Sequence, residues 1–271
     1  MEQVVTFVRR TLDKIIMKLT ILGSGSYLPS LKRHCSAYLL ETEGEKIAFD
    51  FGRGAVDQLL KLGVDYKNLD RIFISHTHPD HTSDLIPFIE IMLHAHSDFG
   101  LRTKTLYIYG PKGFKQFYKN ITKVYYSLEI KPDLSFKVIF KELGDTKIKL
   151  PNLKITSFKV NHNENLNSLA FRIEDEKKSV FYSGDVSTDE NNFKGLKNVD
   201  LSVIESTRSV PVKGHLSVAE AAMIASKHGA KKLVLTHISD LLFKNFDILG
   251  EAKKYFPGEV IVAQDMMETK I

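Results

Sequence analysis

The order of apolar runs predicts an α/β fold in which two sheets are flanked by helices. Three observations carry that expectation. Short β-rich runs alternate with amphipathic helical stretches from residue 17 onward, and several of the strands run directly into histidine, aspartate or glycine. No internal repeat, low-complexity tract or Gly/Ser linker divides them, so residues 17–271 read as one domain. A chain of 271 residues buries roughly three quarters of the surface of its unfolded state and needs no disulfide or metal to fold. Hydrophobic residues at 43% and charged residues at 26% are ordinary globular values, which excludes a disordered tail and a membrane-embedded protein.

Taken in order, residues 1–16 place Val4, Val5, Val8, Leu12, Ile15 and Ile16 near helical spacing with Arg9, Arg10 and Lys14 between them. They predict a short amphipathic helix ahead of the domain, too short and too charged to span a bilayer and lacking a secretory cleavage pattern. Strands follow at 18–22, 36–41, 46–49 and 71–74, with helices at 54–62 and 85–94. Later strands are expected at 105–109, 153–160, 169–174, 179–182, 201–204, 233–236 and 260–263. Helices are expected at 113–126 and 217–228 and within 246–255. Ser217 with Glu220 three residues on is a capping box for the second of these.

The net charge of +5 and pI near 9.0 lean toward anionic partners, and the surplus is local. Residues 102–154 hold 12 Lys/Arg against 4 Asp/Glu, while the rest of the chain is slightly acidic. Within that stretch Lys112, Lys115, Lys119 and Lys123 interleave with Phe114, Phe117, Tyr118, Tyr125 and Tyr126. Lysines with aromatics suit a single-stranded nucleic-acid groove. The commoner arrangement is an amphipathic helix in which Phe114, Phe117, Tyr118, Ile121 and Tyr125 are buried and the lysines are solvated. Cys35 is the only cysteine. It allows no intramolecular disulfide and no cysteine-built zinc site, and it points to a reducing, cytoplasmic setting.

The chemistry is concentrated in residues 72–84, IFISHTHPDHTSD, where an apolar strand runs into His76, His78, Asp80 and His81. Imidazole and carboxylate are the ligands that borderline divalent metals take. A set of satisfied surface histidines is the competing reading, and three histidines with a carboxylate inside six residues speak against it. His76 and His78, two apart, can reach one ion. Asp80 and His81 lie beyond the break at Pro79 and are aimed differently, which suggests a second ion. His94 and His96 read as helix-end residues, with a place at the rim of the site as the alternative.

HTHPDH resembles the His-x-His-x-Asp-His signature of the metallo-β-lactamase superfamily, which implies a four-layer αββα sandwich. His162 in KVNHNENLNSLAFRIE, Asp185 in VFYSGDVS and His237 in KLVLTHIS resemble the remaining ligand motifs, in the same order. The resemblance implies that His76, His78 and His162 hold one ion and that Asp80, His81 and His237 hold the other. Asp185 would then bridge them together with a water or hydroxide. Zinc is the expected metal, with manganese or iron as alternatives. Because ligand histidines must be neutral, occupancy should fall below about pH 6.

Within the superfamily the chain is most similar to the ribonuclease Z branch. LGSGSYLPSLKRHCSAYLL resembles its opening strand and substrate loop, and AFDFGRGAVDQLLKLGVDYKNLDRIFISHTHPDH its metal motif. SVIESTRSVPVKGHLSVAEAAMIASKHGAKKLVLTHIS resembles its late segment, which implies that His215 acts as a general acid, oriented by Glu205. Asp80 is a catalytic candidate as well as a ligand. The chain departs from the branch in three places: Leu31 stands for an expected lysine, His34 for an asparagine, and Arg53 for an acidic residue between Gly52 and Gly54. His162 and Asp185 are 23 positions apart, room for two strands and a turn but not for the arm that grips tRNA. The expected activity is hydrolysis of phosphodiesters, in RNA or a small nucleotide, by a dimetal enzyme that is not membrane-bound, with a homodimer as its candidate assembly. The alternatives are hydrolysis of a thioester, sulfate ester or lactone, or an accessory protein that keeps the fold without turnover.

Overall fold

β1 (Lys18–Gly23), β2 (Ala37–Glu41) and β3 (Lys46–Phe51) form an antiparallel meander whose strands are apolar on both faces. Leu19, Ile21, Tyr38, Leu40, Ile47 and Phe49 face one core, whereas Leu22, Ala37, Leu39, Ala48 and Phe51 face another. A sheet buried on both sides must be covered twice, and that requirement generates the rest of the architecture. The computed structural model describes residues 17–94, 102–130 and 135–271. The helix expected within 1–16, and His96, lie outside the described residues.

After β3 come α1 (Ala55–Lys61), β4 (Arg71–Phe73), α2 (Pro79–Thr82), α3 (Leu85–His94), β5 (Leu106–Pro111), α4 (Phe114–Val124) and β6 (Val138–Leu143). The second half follows with β7 (Thr146–Lys149), β8 (Lys154–Val160), β9 (Ser168–Glu174), β10 (Ser179–Tyr182) and β11 (Leu201–Glu205). It ends with α5 (Val218–Lys227), β12 (Lys232–Thr236), α6 (Ile248–Lys253), β13 (Glu259–Val262) and β14 (Glu268–Lys270). Two seven-stranded sheets result, in the orders β14-β1-β2-β3-β4-β5-β6 and β13-β12-β11-β10-β9-β8-β7. In each, three antiparallel pairings give way to three parallel ones.

The sheets pack face to face through Tyr38, Phe49, Phe73, Phe171 and Tyr182. Residues of α1, α3 and α4 cover the outside of the first sheet, and those of α5 and α6 cover the second. The arrangement is the expected αββα sandwich. Ser217 caps α5 and Glu220 closes the capping box. Among the described residues no helix is long and apolar enough to cross a membrane.

Three strands lie outside the expectation. β6 and β7 carry exposed Lys141, Glu142, Lys147 and Lys149 at sheet edges, and β14 is three residues long, so none shows an apolar run. The stripe on α4 is buried or half-buried at Phe114, Phe117, Tyr118 and Ile121, with Lys112, Lys115, Lys119 and Lys123 in solvent. Tyr125 departs from it. The helix ends at Val124, Tyr125 takes φ −112° and ψ 86°, and the broken period leaves its ring 53% exposed.

Phe73 is fully buried between the sheets, stacked on Tyr109 with ring centroids 4.4 Å apart and in contact with Phe49 and Phe171. Phe73→Ala should lower stability by about 3–5 kcal/mol, the usual range for opening a cavity of that size. A denaturant titration checks it.

Candidate metal centre

Every candidate ligand either follows closely on a strand or sits in a short helix at one end of the sandwich. His76 and His78 come after β4, and Asp80 and His81 sit in α2, which begins at Pro79. From the other sheet, His162 follows β8, Asp185 follows β10 and His237 follows β12. Gly184 lets the chain reach Asp185: its φ is +57°, and a Cβ there would meet Leu169 O and Ser75 Cβ at 2.9 Å.

The seven residues converge as two overlapping sets. His76 Nε2 lies 2.9 Å from His78 Nδ1, which is 3.3 Å from His162 Nε2. Asp185 Oδ2 stands 3.8 Å from His76 Nε2 and 4.0 Å from His162 Nε2. In the second set Asp80 Oδ2 is 3.2 Å from His237 Nε2 and 3.7 Å from His81 Nε2. Asp185 reaches into this set too, 3.4 Å from His81 Nε2 and 3.5 Å from His237 Nε2. Two groups, His76/His78/His162/Asp185 and Asp80/His81/His237, thus have donor atoms close enough to share an ion.

The donors suit divalent cations. One proton cannot satisfy the three nitrogens that meet at His78 Nδ1, whereas one cation can. The 3.3 Å between His78 and His162 equals the roughly 3.3 Å between nitrogens held 2.0–2.1 Å from a tetrahedral ion, and the 2.9 Å between His76 and His78 is shorter. His81 Nε2 is buried without a hydrogen bond of good geometry, 3.4 Å from Asp185 Oδ1, and a buried polar nitrogen left that way costs about 1–3 kcal/mol.

A second set of partners fixes the rings. Asp50, fully buried at the end of β3, accepts from Ser75 N at 2.6 Å, Ser75 Oγ at 2.7 Å, His81 Nδ1 at 2.7 Å and Tyr182 OH at 2.5 Å. With Nδ1 engaged there, His81 presents Nε2 to the cluster. His162 Nδ1 donates to Gly214 O at 2.6 Å. His237 Nδ1 meets Thr207 Oγ1 at 2.7 Å, and Thr207 donates to Glu205 at 2.6 Å. Asp50 and His237 both adopt left-handed backbone, φ 53° and 61°, at a cost of order 1–3 kcal/mol each. Sequence reading missed Asp50, Thr207 and Tyr182, because a lone polar residue at a strand end carries no ligand signature.

His215 belongs to the same cavity. Its Nδ1 is 3.1 Å from both oxygens of Glu205 and 3.9 Å from Asp185 Oδ2. Burial acts to lower its pKa, but the hydrogen bond to Glu205 and the charges of Glu205 and Asp185 outweigh it and raise the imidazole to about 8. Burial likewise lowers His76 and His78 and leaves them neutral. At His81 burial is overcome by the charges of Asp185 and Asp50, which raise it well above the usual histidine range. Asp80, Asp185, His215 and His237 open on a cavity of about 550 Å³ whose other wall includes Tyr27, Cys35 and Arg53. His94 is not at its rim; it bonds Ser127 O at 2.6 Å, beyond α4.

Residues 46–238 match the family described as the Beta-lactamase superfamily domain. The chain belongs to this superfamily. A ribonuclease Z of Archaeoglobus fulgidus is 25% identical over 95% of this chain and 98% of its own length. That alignment runs over 313 positions, more than the 271 residues here, so the relative carries segments this chain lacks. The crystal structure of the metallo-beta-lactamase fold protein YhfI from Bacillus subtilis is 25% identical at a TM-score of 0.78, covering 93% of this chain and 98% of that one. Human tRNase Z, short form, is 25% identical at a TM-score of 0.73, covering 94% and 99%. This superfamily member is a metal-dependent hydrolase similar to ribonuclease Z.

Two outcomes follow. Asp50→Ala strips four hydrogen bonds from one buried carboxylate and should cost about 3–5 kcal/mol of stability, with divalent-metal affinity lowered roughly 10–100-fold. Thermal unfolding and metal titration read the two effects separately. In the metal-free protein a raised His81 pKa favours folding below the unfolded value of about 6.5, and that contribution is lost as pH rises through the raised value. Metal must displace the same proton, so its affinity should keep rising with pH above 6.5, about tenfold per unit. Competition then begins at a higher pH than the sequence expectation of about 6, and isothermal titration in buffers of different ionisation enthalpy counts the proton released.

Proposed function

We propose that this chain is a dimetal phosphodiesterase that cleaves RNA as a ribonuclease Z-like endonuclease without the tRNA-gripping arm. The observation that carries the reading is His215, seated on Glu205 and 3.9 Å from Asp185, in one cavity with His78, Asp80, Asp185 and His237 of the cluster. His76, His78 and His162 are the residues for one ion, and Asp80, His81 and His237 for the other. Asp185, within 4.0 Å of donors in both sets, is the anion that lets two cations lie close. Zinc suits an imidazole and carboxylate set of this kind. When bound, such ions supply an acidified water and a positive charge for the phosphoryl oxygens.

The chain's own part is proton handling and positioning. Glu205 accepts the Nδ1 proton of His215, which leaves Nε2 as the atom that holds a proton and passes it to the departing oxygen. Thr207 links the same carboxylate to His237, so one buried acid orients both rings. The names of the archaeal relative and the human neighbour support RNA as substrate. Between His162 and Asp185 lie only β9, a turn and β10. That interval has no room for a tRNA-gripping arm, so short single-stranded RNA or small diesters should be turned over at least as well as a folded tRNA precursor.

The test compares wild type and His215→Ala after loading with zinc or manganese, on an oligoribonucleotide and on bis(p-nitrophenyl) phosphate. Metal content should be unchanged. kcat should fall about 10²–10⁴-fold on the oligonucleotide and far less on the ester, whose p-nitrophenolate leaves without a proton. Equal losses would reassign His215 to phosphate binding. A loaded protein that cleaves thioesters, sulfate esters or lactones but no diester would overturn the proposed function.

A further inference from the structure

The catalytic cavity does not end at the metal cluster. Arg53 lines it and also lines a second cavity of about 760 Å³, walled by Pro29, Leu31 and His34 on one side and Val56, Pro87 and Ile91 on the other. The backbone that carries Arg53 is held on both flanks. Arg53 O accepts from Cys35 N at 3.1 Å, and the Asp84 carboxylate accepts from Gly54 N at 2.9 Å and Val56 N at 3.0 Å. Gly54 has φ +94°, and a Cβ there would strike the His34 ring at 1.8 Å, so the segment lies flat against that wall. The Arg53 side chain itself is exposed, and no ion pair or side-chain hydrogen bond engages it among the described residues.

Arg33, His34 and Asp84 around the second cavity are already engaged, which leaves Arg53 as its unengaged cation. Arg33 is tied to Asp240 at 2.9 Å and to Ser24 Oγ at 2.8 Å, and His34 Nδ1 to Asp265 at 2.7 Å. Asp84 is occupied by the two backbone donors above, and Asp57 is exposed at the rim. A planar guanidinium at the junction of two cavities, one with room for a nucleoside, is suited to a doubly anionic or bridging phosphate.

We infer that Arg53 is the specificity-determining contact for a second phosphate, one nucleoside removed from the scissile one. The inference rests on the diesterase reading and deepens it: the substrate is an oligonucleotide or a dinucleotide with a terminal phosphate, rather than a simple diester. Nothing about the scissile step requires Arg53, so its contribution lies in KM.

The test uses the metal-loaded full chain and three dinucleotides, UpU, pUpU and UpUp, which differ only in the presence and end of the extra phosphate. The wild type should favour one phosphorylated form over UpU by about ten- to a hundredfold in kcat/KM, the scale of a charge-assisted hydrogen-bond pair. KM should carry the change, and the favoured form tells which side of the cut the subsite serves. Arg53→Gln should erase the preference, and Arg53→Lys, which keeps the charge but not the fork, should restore part of it. A wild type indifferent to both terminal phosphates, or a preference that survives Arg53→Gln, overturns the inference while leaving the diesterase reading intact. Failure to cleave all three despite bound metal overturns that reading as well. Equilibrium binding to the metal-free protein supplies a readout apart from turnover: a wild type that binds pUpU and UpUp no better than UpU counts against the subsite.

Discussion

One buried carboxylate ties the functional end of the molecule together. Asp50 leaves β3 of the first sheet in a left-handed conformation and accepts hydrogen bonds from Ser75, His81 and Tyr182. Those partners belong to the loop after β4, to α2 and to β10 of the opposite sheet. A charge without solvent is tolerated only when its acceptor sites are filled, so filling them forces the ends of both sheets into one arrangement. The cluster of candidate ligands grows from that arrangement.

Glu205 plays the matching part on the other side. Its carboxylate takes the Thr207 hydroxyl and His215, and Thr207 in turn takes His237. Val186 N also donates to it at 2.8 Å, next to Asp185. Two buried acids, one from each sheet, therefore orient His81 on one side and His215 and His237 on the other. Neither is among the cluster's ion-sharing groups. Each sets which nitrogen a histidine offers, the property on which both metal affinity and proton transfer depend.

The sandwich explains how such costs are tolerated. Left-handed backbone at Asp50 and His237 and clustered, buried imidazoles oppose folding locally. They are offset by three apolar cores, one between the sheets and one under each helical layer. The strain is confined to the strand ends, where the ladders terminate and backbone direction is free to change.

Much of this was legible in the chain. Apolar strands run straight into HTHPDH, NH, GD and TH because a metal site of this kind is built on strand ends, and spacing within those motifs already separates His76 and His78 from Asp80 and His81. Local order thus determined the layers, the candidate ligands and the capped helix at Ser217. Tertiary structure decided what depends on distant pairing. Asp50, Thr207 and Tyr182 become functional only when strands far apart in sequence meet, and edge strands such as β6, β7 and β14 form because a neighbour offers its backbone rather than because their own side chains alternate. Arg53 is the same case: a single arginine between two glycines says nothing by itself, and its place at the junction of two cavities exists only because residues 29–34 fold back to form a wall beside it.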